Sequence, residues 1–308
     1  MTARLKVSVV TITWRPGYID TMAAALCAQT MSKDSFEWVL VDDLWEMRRD
    51  AVAAHVNGAV RLVHVPPREI TRESGTGIAV NTGLAHASGE LVYFMPDHCY
   101  PSPRSLERHW EIYTRFGPQA IIVSPWVDRI TQRRESVWLG ASAPLVEIQV
   151  GARRITFPDH SPPVEIALRP GYDKPSPDNF ISIFADPVRP LWRDDLTLDW
   201  RMGWLLTGDE VHTPVPHGRG LFEIFSPGRV NWWYGRGDSA PRTALLESGG
   251  LPERTGTHGG LETLLTRRLL DMGCRFFADH TAPVMILPHP SRKPERNLYP
   301  SALAIQDS

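Results

Sequence analysis

The apolar positions of the first 125 residues fall into short unbroken runs, each followed by a stretch whose apolar positions recur at helical spacing. The runs 7–13, 36–41, 60–65, 91–95 and 120–123 read as strands, and 19–29, 45–55, 76–87 and 102–116 read as helices. Continuously apolar strands that alternate with amphipathic helices predict a parallel sheet covered on both faces. Ligands of such sheets sit beyond the carboxyl ends of the strands. Residues 13–18, 42–43 and 96–99 are therefore where chemistry is expected.

The pattern changes after residue 125. Eleven of the 27 prolines lie between 141 and 217, among short β-like pieces such as 145–150 and 180–184. Proline supplies no backbone donor and is excluded from central strands, so this section is expected to hold loops and edge strands, as an insertion or a flap. Regular patterning returns with a strand at 222–225, a short helix at 241–248 stopped by Gly249 and Gly250, a helix at 261–272 ended by Gly273, and a strand at 284–287. The chain thus divides into 1–125, 126–217, 218–290 and a polar tail, 291–308.

Composition narrows the class. Hydrophobic residues make up 42% and charged residues 22%, which excludes a disordered or fibrous chain. The net charge of −2 provides no bulk basic field for nucleic acid or an anionic membrane. Cys27, Cys99 and Cys274 lie far apart and match no metal or disulfide spacing, which favours a reducing, cytoplasmic setting. The longest apolar runs are strand-sized, so neither a membrane span nor a signal peptide is expected.

Five segments occur in a telling order: VSVVTITWRPGYID (7–20), FEWVLVDD (36–43), NTGLAHASGELVYFMPDHCYPSP (81–103), PRTALLESGGLPE (241–253) and GLETLLTRRLLDMG (260–273). Together the chain resembles the family 2 glycosyltransferases. The resemblance implies an α/β GT-A fold, with a Rossmann-like, mostly parallel sheet flanked by helices. It also implies a nucleoside diphosphate sugar as donor, held by 1–125, and an acceptor held by 218–290. Thr11, Thr13, Arg15 and Tyr18 would lie near the nucleoside. Asp42 would accept a hydrogen bond from the base, with Asp43 beside it, because a carboxylate accepts only and so tests for an N–H edge. Both carboxylates could equally serve to cap the helix that follows. Asn81 and Gly83 match positions near the donor, though helix packing explains them as well.

Two departures from the family pattern concern the chemistry. The family carries Asp-x-Asp after the fourth strand, whereas this chain has Pro96-Asp97-His98. Asp97 would then face the donor, and Asp97 with His98 would bind a divalent ion, manganese sooner than magnesium because of the imidazole. His289, or else His280, could return as a third ligand. Arginines could instead neutralise the leaving diphosphate without a metal, and the pair could also be plain turn residues. The second departure is Leu261-Glu262 where the family has Glu-Asp on a helix. Glu262 keeps a carboxylate there and is the candidate general base for an inverting transfer, although glutamate is common in any first helical turn.

The acceptor pocket is expected in 230–252, around Trp232, Trp233, Tyr234, Arg236 and Asp238, where aromatic faces could pack on sugars and charged groups could fork hydroxyls. Paired tryptophans are also common core residues. A glycan, lipid, protein or modified nucleobase all remain open as acceptor. Two rival readings stay in play: a nucleotidyltransferase on a similar sheet, and a module that binds sugar nucleotides without turning them over.

Overall fold

The computed structural model describes residues 5–69, 75–124, 126–128, 145–150, 153–158, 169, 174–184, 211–214, 221–224, 235–253, 261–279, 281–282 and 284–286. The first half alternates as its patterning predicts: β1 (Val7–Thr13), α1 (Ile19–Cys27), β2 (Phe36–Asp42), α2 (Trp45–Val56), β3 (Arg61–Val65), α3 (Thr76–His86) and β4 (Leu91–Phe94). Then come β5 (Cys99–Pro101), α4 (Ser105–Phe116), β6 (Ala120–Val123), β7 (Trp126–Asp128), β8 (Leu145–Val150) and β9 (Arg153–Pro158). The remainder supplies β10 (Val211–Pro214), β11 (Leu221–Ile224), β12 (Ser239–Pro241), α5 (Arg242–Glu247), α6 (Leu261–Asp271), β13 (Arg275–Asp279) and β14 (Val284–Ile286).

The main sheet has nine strands in the order β10-β11-β13-β6-β12-β4-β1-β2-β3. Only β11 and β12 run against the rest, so the sheet is mostly parallel. A second sheet, β5-β14-β7-β8-β9, holds the short strands. Strand β12 pairs antiparallel to both β4 and β6 and so separates them.

Both faces of the main sheet are covered, as the unbroken apolar runs demand. Along β2, Phe36, Trp38 and Leu40 enter one core with Tyr18, Ile19, Met22 and Leu26, and with Leu106 and Ile112 of α4. Val39 and Val41 enter the other with Ala79, Val80 and Leu84 of α3, Leu245 of α5, and Leu261, Leu265 and Leu269 of α6. The period of two along the strand meets the period of four along α6. Each fully buried aliphatic side chain contributes roughly 1.5–3 kcal/mol.

Residues 180–184, expected as a β-like piece, form a bend with one bridge residue. They pack on the β1–α1 connection instead. Gly17 takes φ 73°, and a Cβ there would run into Ile183, so this close approach needs glycine. Tyr18 meets Phe184 edge-on at 5.5 Å, and Asp20 donates its backbone N–H to Ile181 O at 3.3 Å. Most of 126–217, and therefore most of the proline-rich section, lies outside the described residues. Among the described residues, no helix is long and apolar enough to cross a membrane.

Candidate active site

The carboxyl ends of β1, β2 and β4 gather a buried polar network. Asp97 follows β4 and is 1% exposed. Its Oδ1 accepts from Arg15 Nη1 at 2.6 Å and faces His98 Nδ1 at 2.9 Å, while Oδ2 accepts from Thr13 Oγ1 at 2.9 Å. Burial alone would raise this carboxyl, but Arg15, His98 and Thr13 together hold it well below the usual carboxylate range. The Arg15 guanidinium also lies over the Trp14 ring at 4.7 Å.

Asp42 closes β2 and is completely buried. Arg48, from the first turns of α2, forks onto it with Nε–Oδ2 at 2.7 Å and Nη2–Oδ1 at 2.8 Å. Leu44 N–H donates to Oδ1 at 2.9 Å, and His64 Nε2 lies 2.9 Å from Oδ2. Burial would raise the Asp42 carboxyl, yet Arg48 and His64 outweigh it and lower it. Arg48 also donates to the carbonyls of Arg15 at 2.9 Å and Phe180 at 3.2 Å, and so ties the β1–α1 connection to the 180–184 segment.

Asp43 is the opposite case. It is half-buried, and among the described residues its carboxylate has no hydrogen bond or ion pair. Burial, then the like charges of Asp42 and Asp97 against relief from Arg48, pushes its carboxyl up to about 7. Its oxygens are free to accept from an incoming N–H or O–H, most strongly in the ionised form. Asp42, whose two oxygens already take four nitrogen groups, has little capacity left.

The structure brings Thr13, Arg15, Asp42, Asp43, Asp97 and His98 together and sends other expected donor residues elsewhere. Thr11 is buried and accepts from Trp38 Nε1 at 3.0 Å. Tyr18 is fully buried at φ 62°, packed in the core. Asn81 hydrogen-bonds the 248–253 turn: Leu251 N–H donates to Oδ1 at 2.9 Å, and Nδ2 donates to Leu251 O and to Glu253 Oε1 at 2.9 and 2.8 Å. A Cβ on Gly250 would strike Asn81 Oδ1, so this contact requires the glycine. Arg268 holds the same turn from α6, through Ser248 O at 3.1 Å and Gly250 O at 3.4 Å.

Glu262 sits in the first turn of α6, half-buried, and its carboxylate has no hydrogen bond or ion pair among the described residues. Gly273, at φ 78°, ends α6 and turns the chain directly into β13, which runs parallel to β6. Among the described residues, no hydrogen bond or ion pair joins Glu262 to Asp97 or Asp42.

Among the acceptor candidates, Asp238 is fully buried and braces its own loop, accepting from Gly235 N–H at 2.8 Å and Ser124 N–H at 3.2 Å. Arg236 is half-buried, close enough to Cys99 to act on its thiol. Trp232, Trp233, Tyr234, His280 and His289 lie outside the described residues. Sequence reasoning missed Arg48 and His64. The only signal for Arg48 is an arginine one turn into the helix that follows Asp42-Asp43.

Residues 8–144 match the family model described as Glycosyl transferase family 2. Staphylococcus aureus TarS, residues 1–349, superposes with a TM-score of 0.52 at 14% identity, over 92% of this chain and 60% of that one. The same protein in complex with UDP-GlcNAc gives 0.53 at 12% identity, over 94% and 60%. GalNAc-T7 with UDP, GalNAc and Mn2+ gives 0.52 at 12% identity, over 94% of this chain and 45% of that one. The chain spans less than two thirds of the length of these structures, and at such identities the likeness is one of fold. No curated protein matches the chain. The ordered motifs, the mostly parallel sheet and the matched segment agree: residues 8–144 are similar to the family 2 glycosyltransferases, and the fold is of the GT-A kind.

Proposed function

We propose that the protein moves a sugar from a nucleoside diphosphate sugar to an acceptor hydroxyl with inversion. The observation that carries this reading is the open carboxylate of Asp43 beside the Arg15–Asp97 pair at the carboxyl ends of β1, β2 and β4. Asp43 accepts from the nucleoside, and Arg15 faces the diphosphate, whose planar oxygens suit a guanidinium fork. Glu262 takes the proton of the acceptor hydroxyl as that oxygen attacks the anomeric carbon, and the diphosphate departs from the opposite side. The loop braced by Asp238, with Arg236 on it, forms the acceptor side.

A divalent cation, of the kind that accompanies UDP in the GalNAc-T7 structure, is the cofactor this reading calls for. The donor set fits one in part. Asp97 and His98 are an adjacent carboxylate and imidazole at the strand end, a pair suited to manganese. Among the described residues no third histidine, cysteine or carboxylate joins them to form a metal-holding group. Asp97 and His98 would therefore hold the ion together with diphosphate oxygens and water. When bound, the ion would neutralise the charge that builds on the leaving diphosphate.

A thermal-shift series over uridine, guanosine, adenosine and cytidine diphosphate sugars, with and without Mn2+, tests the reading. Ligands that bind only the native state raise the melting temperature in proportion to log concentration. At least one nucleoside diphosphate sugar is expected to raise it and to be turned over when acceptors are supplied. Binding without any turnover would favour a sugar-nucleotide-binding module, and no shift with any of them would reject the donor assignment.

A further inference from the structure

We propose that Arg15 is the resident counter-ion of Asp97 and makes divalent-cation binding at Asp97 and His98 conditional on a nucleoside diphosphate. The inference rests on the donor reading above and adds an order of events to it.

In the free protein the charge of Asp97 is already spent. Its side chain is 2% exposed, that of Arg15 6%, and the two are in contact at 2.6 Å. Arg15 Nη1 also lies 3.4 Å from His98 Nδ1, so one guanidinium stands against both groups that would receive the ion. A dication arriving alone meets a pair whose charges already cancel, with the guanidinium in contact with the very oxygen the ion needs. It must also displace the donors that occupy Oδ1. Solvent does little to soften the repulsion between ion and guanidinium at so buried a site. Arg48 and Asp42 form their own closed, fully buried pair and add no net charge; the open Asp43 carboxylate is present with and without nucleotide and does not alter the comparison.

A diphosphate changes the balance. It brings two or more negative charges, and a guanidinium binds phosphate in the forked geometry it uses for carboxylate. Arg15, whose guanidinium lies over the Trp14 ring at 4.7 Å, can turn from Asp97 to the phosphates. Oδ1 of Asp97 is then released and the local charge becomes negative, which favours the ion. Cation and nucleotide therefore tighten each other's binding, and by linkage the factor is the same in both directions.

The test measures binding rather than activity. Free Mn2+ is followed by its electron paramagnetic resonance signal in wild type, Arg15→Gln and Arg15→Lys, with and without UDP, and UDP binding is followed by calorimetry in EDTA and in Mn2+. Wild type is expected to bind Mn2+ at least tenfold more tightly with UDP than alone. Arg15→Gln is expected to bind Mn2+ alone at least tenfold more tightly than wild type, and to lose most of the enhancement by UDP. Arg15→Lys keeps a point charge without the fork and should fall between them, which keeps the test alive if the glutamine variant fails to fold. Equal Mn2+ affinity in wild type and variants, or equal affinity with and without UDP, overturns the proposal while leaving nucleotide binding standing. Failure of wild type to bind UDP or any other nucleoside diphosphate in any condition overturns the donor reading as well.

Discussion

Strand β2 carries one carboxylate near its start and another just past its end, and the fold treats them in opposite ways. Glu37, at the amino end, is 1% exposed. Its Oε1 accepts from Ser8 Oγ at 2.7 Å, Ser88 N–H at 2.7 Å and Ser88 Oγ at 2.6 Å, and Ser8 Oγ in turn accepts from Gly89 N–H at 2.7 Å. These bonds join β1, β2 and the turn before β4 into one closed edge. Asp43, at the carboxyl end, has no donor among the described residues and is pushed up to about 7. A buried carboxylate supplied with donors by its own chain is architecture. One left without them beside a second charged cluster is a place where a ligand completes the hydrogen bonding.

Asp42 stands between these cases and marks the boundary, because Arg48 makes it architecture at the very edge of the site. Arg48→Ala should have the largest effect, since it leaves the Asp42 carboxylate buried and uncompensated. A loss of about 3–5 kcal/mol is expected, read from urea unfolding. A loss under about 1 kcal/mol would move Asp42 to the ligand-binding side of the comparison.

Glu262→Gln probes the open end from its far side. Turnover should fall about 10²-fold or more with UDP affinity nearly unchanged, as for removal of a general base. A full rate in steady-state assays would remove Glu262 from the mechanism.

The smallest effect is in pH dependence. The Asp43 carboxyl titrates near 7 when folded and near its ordinary 3.8 when unfolded. The folded state therefore favours the protonated form, and this contribution is complete below about pH 4 and lost as pH rises through 7. Asp43→Asn should match wild type in melting temperature near pH 4 and exceed it near pH 8. A constant difference across that range would mean that Asp43 is not held in the protonated state by its surroundings.

Much of this was legible in the residues. The apolar runs place β1, β2, β3, β4 and β6 to within a residue or so, because parallel strands leave a dense hydrophobic signal, which even the partly exposed edge strand β3 keeps in Leu62, Val63 and Val65. Strand β12 was not legible: Ser-Ala-Pro has no apolar run, and its place between β4 and β6 depends on a long-range pairing. Strand β13 was missed although Phe276 and Phe277 lie in it, because it follows α6 after only a short turn. The site was legible in part. Asp97, His98, Thr13 and Arg15 lie in segments that the sequence marks and the fold gathers, but no spacing reveals that Arg15 closes on Asp97. Nor does the sequence distinguish a saturated Asp42 from an open Asp43. That difference is made by Arg48 and His64, which arrive from a helix and from the neighbouring strand.

Calorimetric titration of UDP, in the presence of Mn2+, into wild type, Asp43→Asn and Glu37→Gln tests the central claim most directly. The account predicts at least a tenfold weaker dissociation constant for Asp43→Asn and an unchanged one for folded Glu37→Gln. Equal affinity for Asp43→Asn and wild type, or no binding of UDP or any other nucleoside diphosphate to wild type, would contradict it.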